Sequence, residues 1–130
     1  MEFKEFYITD KNGKSNCVVR SLCKILNKEY EDVYNNLIIL SKDLDCSFND
    51  IIAFETYMKN NNIVKISKKN DIQIKNLKLD KGLYIVFCYN KNEYYHMIPI
   101  INNVIYDKSS DCMDLYVIEI YKKYGKTKVS

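Results

Sequence analysis

Three side chains in this sequence have the types and the order for nucleophilic chemistry. Cys17 stands in Asn16-Cys17-Val18-Val19-Arg20-Ser21-Leu22, where a helical pattern begins. His96 is the only histidine and lies in the strand-like run Tyr94 to Ile100. Asp107 closes a second such run, Val104-Ile105-Tyr106-Asp107. The thiolate is the reactive form of cysteine, and unpaired backbone N–H groups at a helix N-terminus stabilise its charge. A histidine takes the thiol proton, and an acid orients the histidine. Cysteine, histidine and acid in this order make a set for attack on a carbonyl carbon.

These residues need a helix start and a hairpin to position them. The spacing of Val18, Leu22, Ile25 and Leu26 predicts a helix from Cys17 to about Leu26, with Ser15 or Asn16 as its N-cap. Tyr30, Val33, Tyr34, Leu37 and Ile38 mark a second helix at i, i+3, i+4, i+7 and i+8. A third is expected from Ser47, with Asp50 three residues on in the manner of a capping box, to about Asn60. Phe3 to Thr9 reads as a short strand, and Ile63 to Ile66 and Asp71 to Leu77 as short mixed segments. Gly82 to Tyr89 is rich in β formers and reads as a central strand. Asn90 to Glu93 is a turn, and Leu115 to Tyr121 a last strand. Helices first and then an antiparallel meander give an α+β fold, with N-terminal helices packed on an antiparallel β-sheet.

The hairpin fixes a testable register. If Asn102-Asn103 is a two-residue turn, for which Asn tolerates the positive φ, Ile98 faces Asp107 and His96 faces Ser109. Side chains alternate by two, so His96 and Asp107 then share one sheet face as diagonal neighbours. A slip of one residue would send Asp107 to the other face.

Other residues carry blander readings. Cys23 and Cys88 are core hydrophobes, and Cys46 and Cys112 take surface or turn roles. Arg20, one turn after Cys17, pairs with the thiolate or a substrate carboxylate, or forms an ion pair that ties helix one to the body. Tyr84, Tyr94, Tyr95 and Tyr106 pack the sheet or line a cleft. At 130 residues the chain reads as one domain, residues 1–130. A net charge of +3, with lysines scattered, points away from nucleic-acid binding. The basic stretch from Lys122 to Lys128 reads as a solvated terminus. No apolar run approaches the roughly 18 residues of a membrane span, and no signal-peptide pattern opens the chain, so a cytoplasmic protein is expected. Five cysteines, an odd number without a C-x-x-C pair, fit a reducing compartment and no structural metal. Heavy use of Lys, Asn and Ile suits an AT-rich bacterial or phage genome.

The chain resembles small papain-like cysteine peptidases of bacteria and their phages, the group that includes bacteriocin double-glycine leader peptidases. One stretch is Asn16 to Leu22 followed by Lys28-Glu29-Tyr30-Glu31-Asp32-Val33-Tyr34, which is similar to the nucleophile and second helices. The other runs Gly82 to Val86, His96 to Ile100 and Asn103 to Asp107, which looks like the strand–histidine–strand–acid core. The resemblance implies a papain-like fold, with Cys17 as nucleophile, His96 as general base then acid, and Asp107 as orienting acid. It implies a thioester acyl-enzyme, a peptide or protein substrate, and neither metal nor organic cofactor. The family places a glutamine five or six residues before the cysteine to help form the oxyanion hole. Here Lys11 and Asn12 stand there, so Asn12 is the nearest substitute, beside the backbone N–H of Cys17. The sole glutamine, Gln73, is far away. That departure leaves two alternatives open. One is a cysteine acyltransferase or transglutaminase. The other is an inactive relative that binds a protein partner through its tyrosines.

Overall fold

The computed structural model describes residues 1–68, 72–92 and 94–125. A six-stranded sheet in the order β1-β5-β4-β3-β6-β2 forms the frame. Its strands are β1 (Glu2–Glu5), β2 (Ile63–Lys68), β3 (Leu83–Tyr89), β4 (Tyr95–Ile101), β5 (Val104–Asp107) and β6 (Tyr116–Lys123). The helices α1 (Cys17–Leu26), α2 (Tyr30–Asp43) and α3 (Ile51–Asn60) precede β2. The chain is therefore α+β, as its helices-then-strands pattern predicts.

The sheet departs from a plain antiparallel meander in two places. Strands β5, β4 and β3 follow the meander, but β6 pairs with the far side of β3, and β2 pairs with β6. Strand β1 lies parallel to β5, with Glu5 opposite Asp107. No local pattern signals such pairings, because they join segments far apart in sequence. Lys122 and Lys123 extend β6 rather than fraying, while 126–130, with the rest of the basic stretch, fall outside the described residues. Asp71 and Glu93, from the expected mixed segment and turn, also lie outside them.

Both sheet faces are covered. On one, Ile85, Met97 and Tyr121 meet Val19, Leu22 and Leu37 of the helices in one apolar cluster. On the other, Val86, Ile98, Ile100, Ile105 and Val117 meet Ile74 and Cys112, from short 3-10 turns at Ile74–Asn76 and Ser110–Asp114. Those alternating sets place His96 with Ile98 and Ile100, and Asp107 with Ile105, by the period of two. Helix α1 is the innermost helix. Val19, Arg20, Ser21 and Cys23 are buried as well as the apolar stripe, because the sheet covers one side and α2 packs on the helix too. Helix α3 starts at Asp50 rather than Ser47. The Asp50 carboxylate accepts from the Ile52 N–H at 2.9 Å, whereas Ser47 Oγ only closes a turn on Asn49.

Candidate active site

The hairpin that carries His96 and Asp107 has the expected turn. Asn102 and Asn103 sit at φ of +50° and +63°, and Ile101 faces Val104 with Ile100 facing Ile105. The ladder stops there, short of the expected Ile98–Asp107 and His96–Ser109 pairs. Its end has a local cause. In this register Pro99 falls where β4 should next donate to β5, and proline has no N–H to give.

Helix α1 takes the vacated edge of β4. Ser21 Oγ donates to the Met97 carbonyl at 3.0 Å. The Met97 backbone also hydrogen-bonds Cys17 and favours its charged form, as an N–H donating to sulfur does. One strand residue thus fixes two helix residues a turn apart, and the N-terminus of α1 is brought to His96.

Asn16 builds that N-terminus. Its backbone is extended, and its side-chain oxygen accepts from the N–H groups of Val18 at 2.8 Å and Val19 at 3.3 Å. Arg20 N–H is already bonded to the Asn16 carbonyl. The Cys17 N–H therefore stands as the first-turn donor with no partner among the described residues. We expect Asn16→Ala to cost about 1 kcal/mol of stability in urea unfolding. Asn16→Asp keeps the cap but puts a carboxylate beside the sulfur, so it should leave stability near wild type and slow alkylation of Cys17.

The acid end of the site is buried and crowded with donors. His96 Nε2 lies 2.6 Å from Asp107 Oδ2, with both side chains almost fully enclosed. Asp107 Oδ1 accepts from Arg20 Nη2 at 3.1 Å and from the Lys108 N–H at 2.9 Å. Cys112 lines the same cavity as this carboxylate, whose charge adds to burial in disfavouring ionisation of its thiol. With Nε2 engaged, Nδ1 is the ring nitrogen left to serve Cys17, and the sulfur and the imidazole each favour the other's charged form. The Tyr94 ring stacks on the imidazole at 5.7 Å, with its hydroxyl 3.4 Å from Nδ1.

These contacts set the charges. Burial pushes the Cys17 thiol up, but its hydrogen bond and attraction to His96, then Met97 and Arg20, outweigh burial and hold it below its ordinary value. Burial pulls His96 down, but Asp107 and Cys17 raise it to about 9. Burial likewise raises Asp107, and the bond to His96 overrides that and holds its carboxyl below the usual range. Each member of the pair thus favours the charged form of the other, the thiolate of Cys17 and the imidazolium of His96. The remaining buried thiols go the other way: burial pushes Cys23 and Cys112 to about 12 and Cys88 well above the ordinary range.

No match to this chain is found among protein-family models, curated proteins or solved structures. The site's chemistry therefore rests on its own geometry. Of the sequence-predicted residues, Cys17, His96 and Asp107 come together. Arg20, read as a helix tie, joins them through Asp107. Asn12 stands in the exposed turn after Asp10, its N–H bonded to Asp10 Oδ1 at 2.8 Å. It lines a cavity of about 580 Å³ with Asn16, the residue before Cys17. A second cavity, of about 430 Å³, opens on His96 and Asp107 with Lys108, Asp111 and Cys112 around it. Sequence reasoning missed Ser21 and Met97 as the parts that dock the helix. Serine one turn after the cysteine was a signal, but its partner is a backbone carbonyl that no side-chain pattern reveals. The described residues hold no cluster of His, Cys, Asp and Glu suited to a metal, and no helix among them is long and apolar enough to cross a membrane.

Proposed function

We propose that this protein is a cytoplasmic cysteine-nucleophile hydrolase with a papain-like fold and site, acting on a peptide or protein. The observation that carries this reading is the buried 2.6 Å bond from His96 Nε2 to Asp107, which leaves Nδ1 to the Cys17 thiol at a helix start. Cys17 Sγ attacks the substrate carbonyl carbon, and the new oxyanion meets the open N–H of Cys17. Nδ1–H of His96 then protonates the leaving amine as the C–N bond breaks, giving a thioester. The neutral imidazole next takes a proton from water, whose hydroxide attacks the thioester. The acid product leaves, and the proton on His96 restores the thiolate–imidazolium pair. Asp107 bonds Nε2–H throughout and holds the ring's tautomer.

A second reading has its own observation. Tyr94 and Tyr95 are more than half exposed, and Tyr95 stacks with Phe87 and Tyr89, an aromatic surface suited to a protein partner without catalysis. Alkylation separates the two. With limiting iodoacetamide at neutral pH, Cys17 should be modified about tenfold or more faster than any other cysteine, because its thiolate fraction is largest. Mass spectrometry that finds Cys17 spared, or labelling spread evenly, supports the binding reading instead.

A further inference from the structure

We propose that Arg20 is the positioning residue of this site, acting through Asp107 as the fixed cation that balances the site's charges and moderates the acid's pull on His96. The proposal rests on the reading of Cys17 and His96 as a nucleophile–base pair.

The geometry is a closed ring that begins and ends on one turn of α1. Arg20 bonds Asp107, Asp107 bonds His96, and His96 attracts the sulfur of Cys17, three residues before Arg20. The guanidinium is fixed at a second point. Its Nη1 donates to Ser15 Oγ at 2.8 Å, and Ser15 Oγ donates onward to the Ile8 carbonyl at 2.8 Å. The Tyr7 ring lies 6.0 Å from its Cζ, and Arg20 is 3% exposed. This is the one arginine among the 20 Lys and Arg residues of the chain. A forked cation reaches two acceptors at fixed angles, as an ammonium does not.

Charge accounting gives Arg20 its task. In the ionised form that the proposed mechanism uses, thiolate, imidazolium, carboxylate and guanidinium sum to zero. Without Arg20 the group carries a net negative charge out of water, which is costly. No neighbouring element supplies a substitute. Cys88 from β3, Cys112 from the turn after β5, and Tyr94 ahead of β4 are all pushed up by burial and stay uncharged. Tyr30 of α2, whose hydroxyl accepts the Asn16 N–H, is pushed up in the same way. Lys108 and Asp111 stand exposed at the cavity rim, where solvent screens them. The bonds from Lys108 N–H and His96 hold Asp107 in place even when Arg20 is gone.

Arg20→Met therefore has a signature that a mere helix tie lacks. Loss of a cation beside a thiolate raises the thiol's pKa, and loss of one near an imidazolium raises the imidazole's. Both titrations should move upward by about one unit or more. A tie that only loosened the site would uncouple the ring from Asp107 and move His96 downward. His96 is the only histidine, so its ring signal in NMR of 13C-histidine-labelled protein titrates without ambiguity. Cys17 is followed by the pH dependence of its iodoacetamide alkylation, read by mass spectrometry. A His96 titration that stays put or falls in Arg20→Met overturns the proposal. Arg20→Lys keeps the charge but not the fork, so both titrations should move upward by less than in Arg20→Met, and a His96 titration that falls there overturns the proposal too, even if Arg20→Met does not fold. A wild-type protein whose Cys17 is no more reactive than its other thiols would instead defeat the nucleophile–base reading, before Arg20 is tested.

Discussion

We expect Cys17→Ala and His96→Ala each to reduce the proposed hydrolysis to background, a loss of about 10⁵-fold or more, with the double variant within about tenfold of either single one. Alanine at 17 removes the only sulfur at the helix start, and water held there has neither a thiolate's nucleophilicity nor a leaving path. Alanine at 96 removes the proton acceptor that keeps Cys17 ionised and the donor that protonates the leaving amine. The two act on the same step, so the second loss has little left to remove. Both cavities should survive in both variants, so substrate binding, measured by a competition assay, is expected to change far less than turnover. Full activity in purified Cys17→Ala would sink the mechanism. Retained activity in His96→Ala, with Cys17 still alkylated quickly, would move the base role to another group.

Much of this site is legible in the sequence because its parts are set by local rules. An asparagine before a cysteine, with apolar residues at helical spacing after it, places that cysteine at N1. Two asparagines between β formers specify a tight turn, and the turn fixes which face holds His96 and Asp107. What the sequence hides is the meeting of the two parts. The ladder register alone would carry β5 alongside Met97, with no place for α1. Pro99 interrupts it, and Ser21 and Cys17 take the Met97 carbonyl and N–H that β5 leaves. The exchange is tertiary, so neither segment announces it. The same holds for β6, which crosses to the far side of β3, and for Arg20, whose helical spacing marks it equally as a surface cation. The capping box at Ser47 misleads for a simpler reason. Asp50 is itself a strong cap one residue before the helix, and it prevails.

Asp107→Ala is the variant in which fold and chemistry fail together. Removing the carboxylate leaves Arg20 and His96 buried without their partner, and breaking a buried pair in this way costs about 3–5 kcal/mol. That is a large share of a stability of roughly 5–15 kcal/mol, and Tm should fall by about 10–20 °C. The pH dependence gives the assignment. Asp107 has a folded value below its unfolded one, so its contribution is present above the usual carboxylate range and is lost as pH falls through the lowered value. His96 is raised to about 9, so its contribution is complete below its ordinary value of 6.5 and is lost as pH rises through about 9. The gap in Tm between wild type and Asp107→Ala should therefore be widest from about pH 5 to 7 and narrow on either side. In the variant only the attraction of Cys17 is left to oppose burial, so the His96 value falls, its support of the thiolate weakens and Cys17 alkylates more slowly at pH 7. Asp107→Asn keeps a hydrogen-bonding group of the same shape and should lose less stability than alanine. A gap in Tm that is flat with pH would show that Asp107 supports the fold by packing alone, and the orienting role would fall with it.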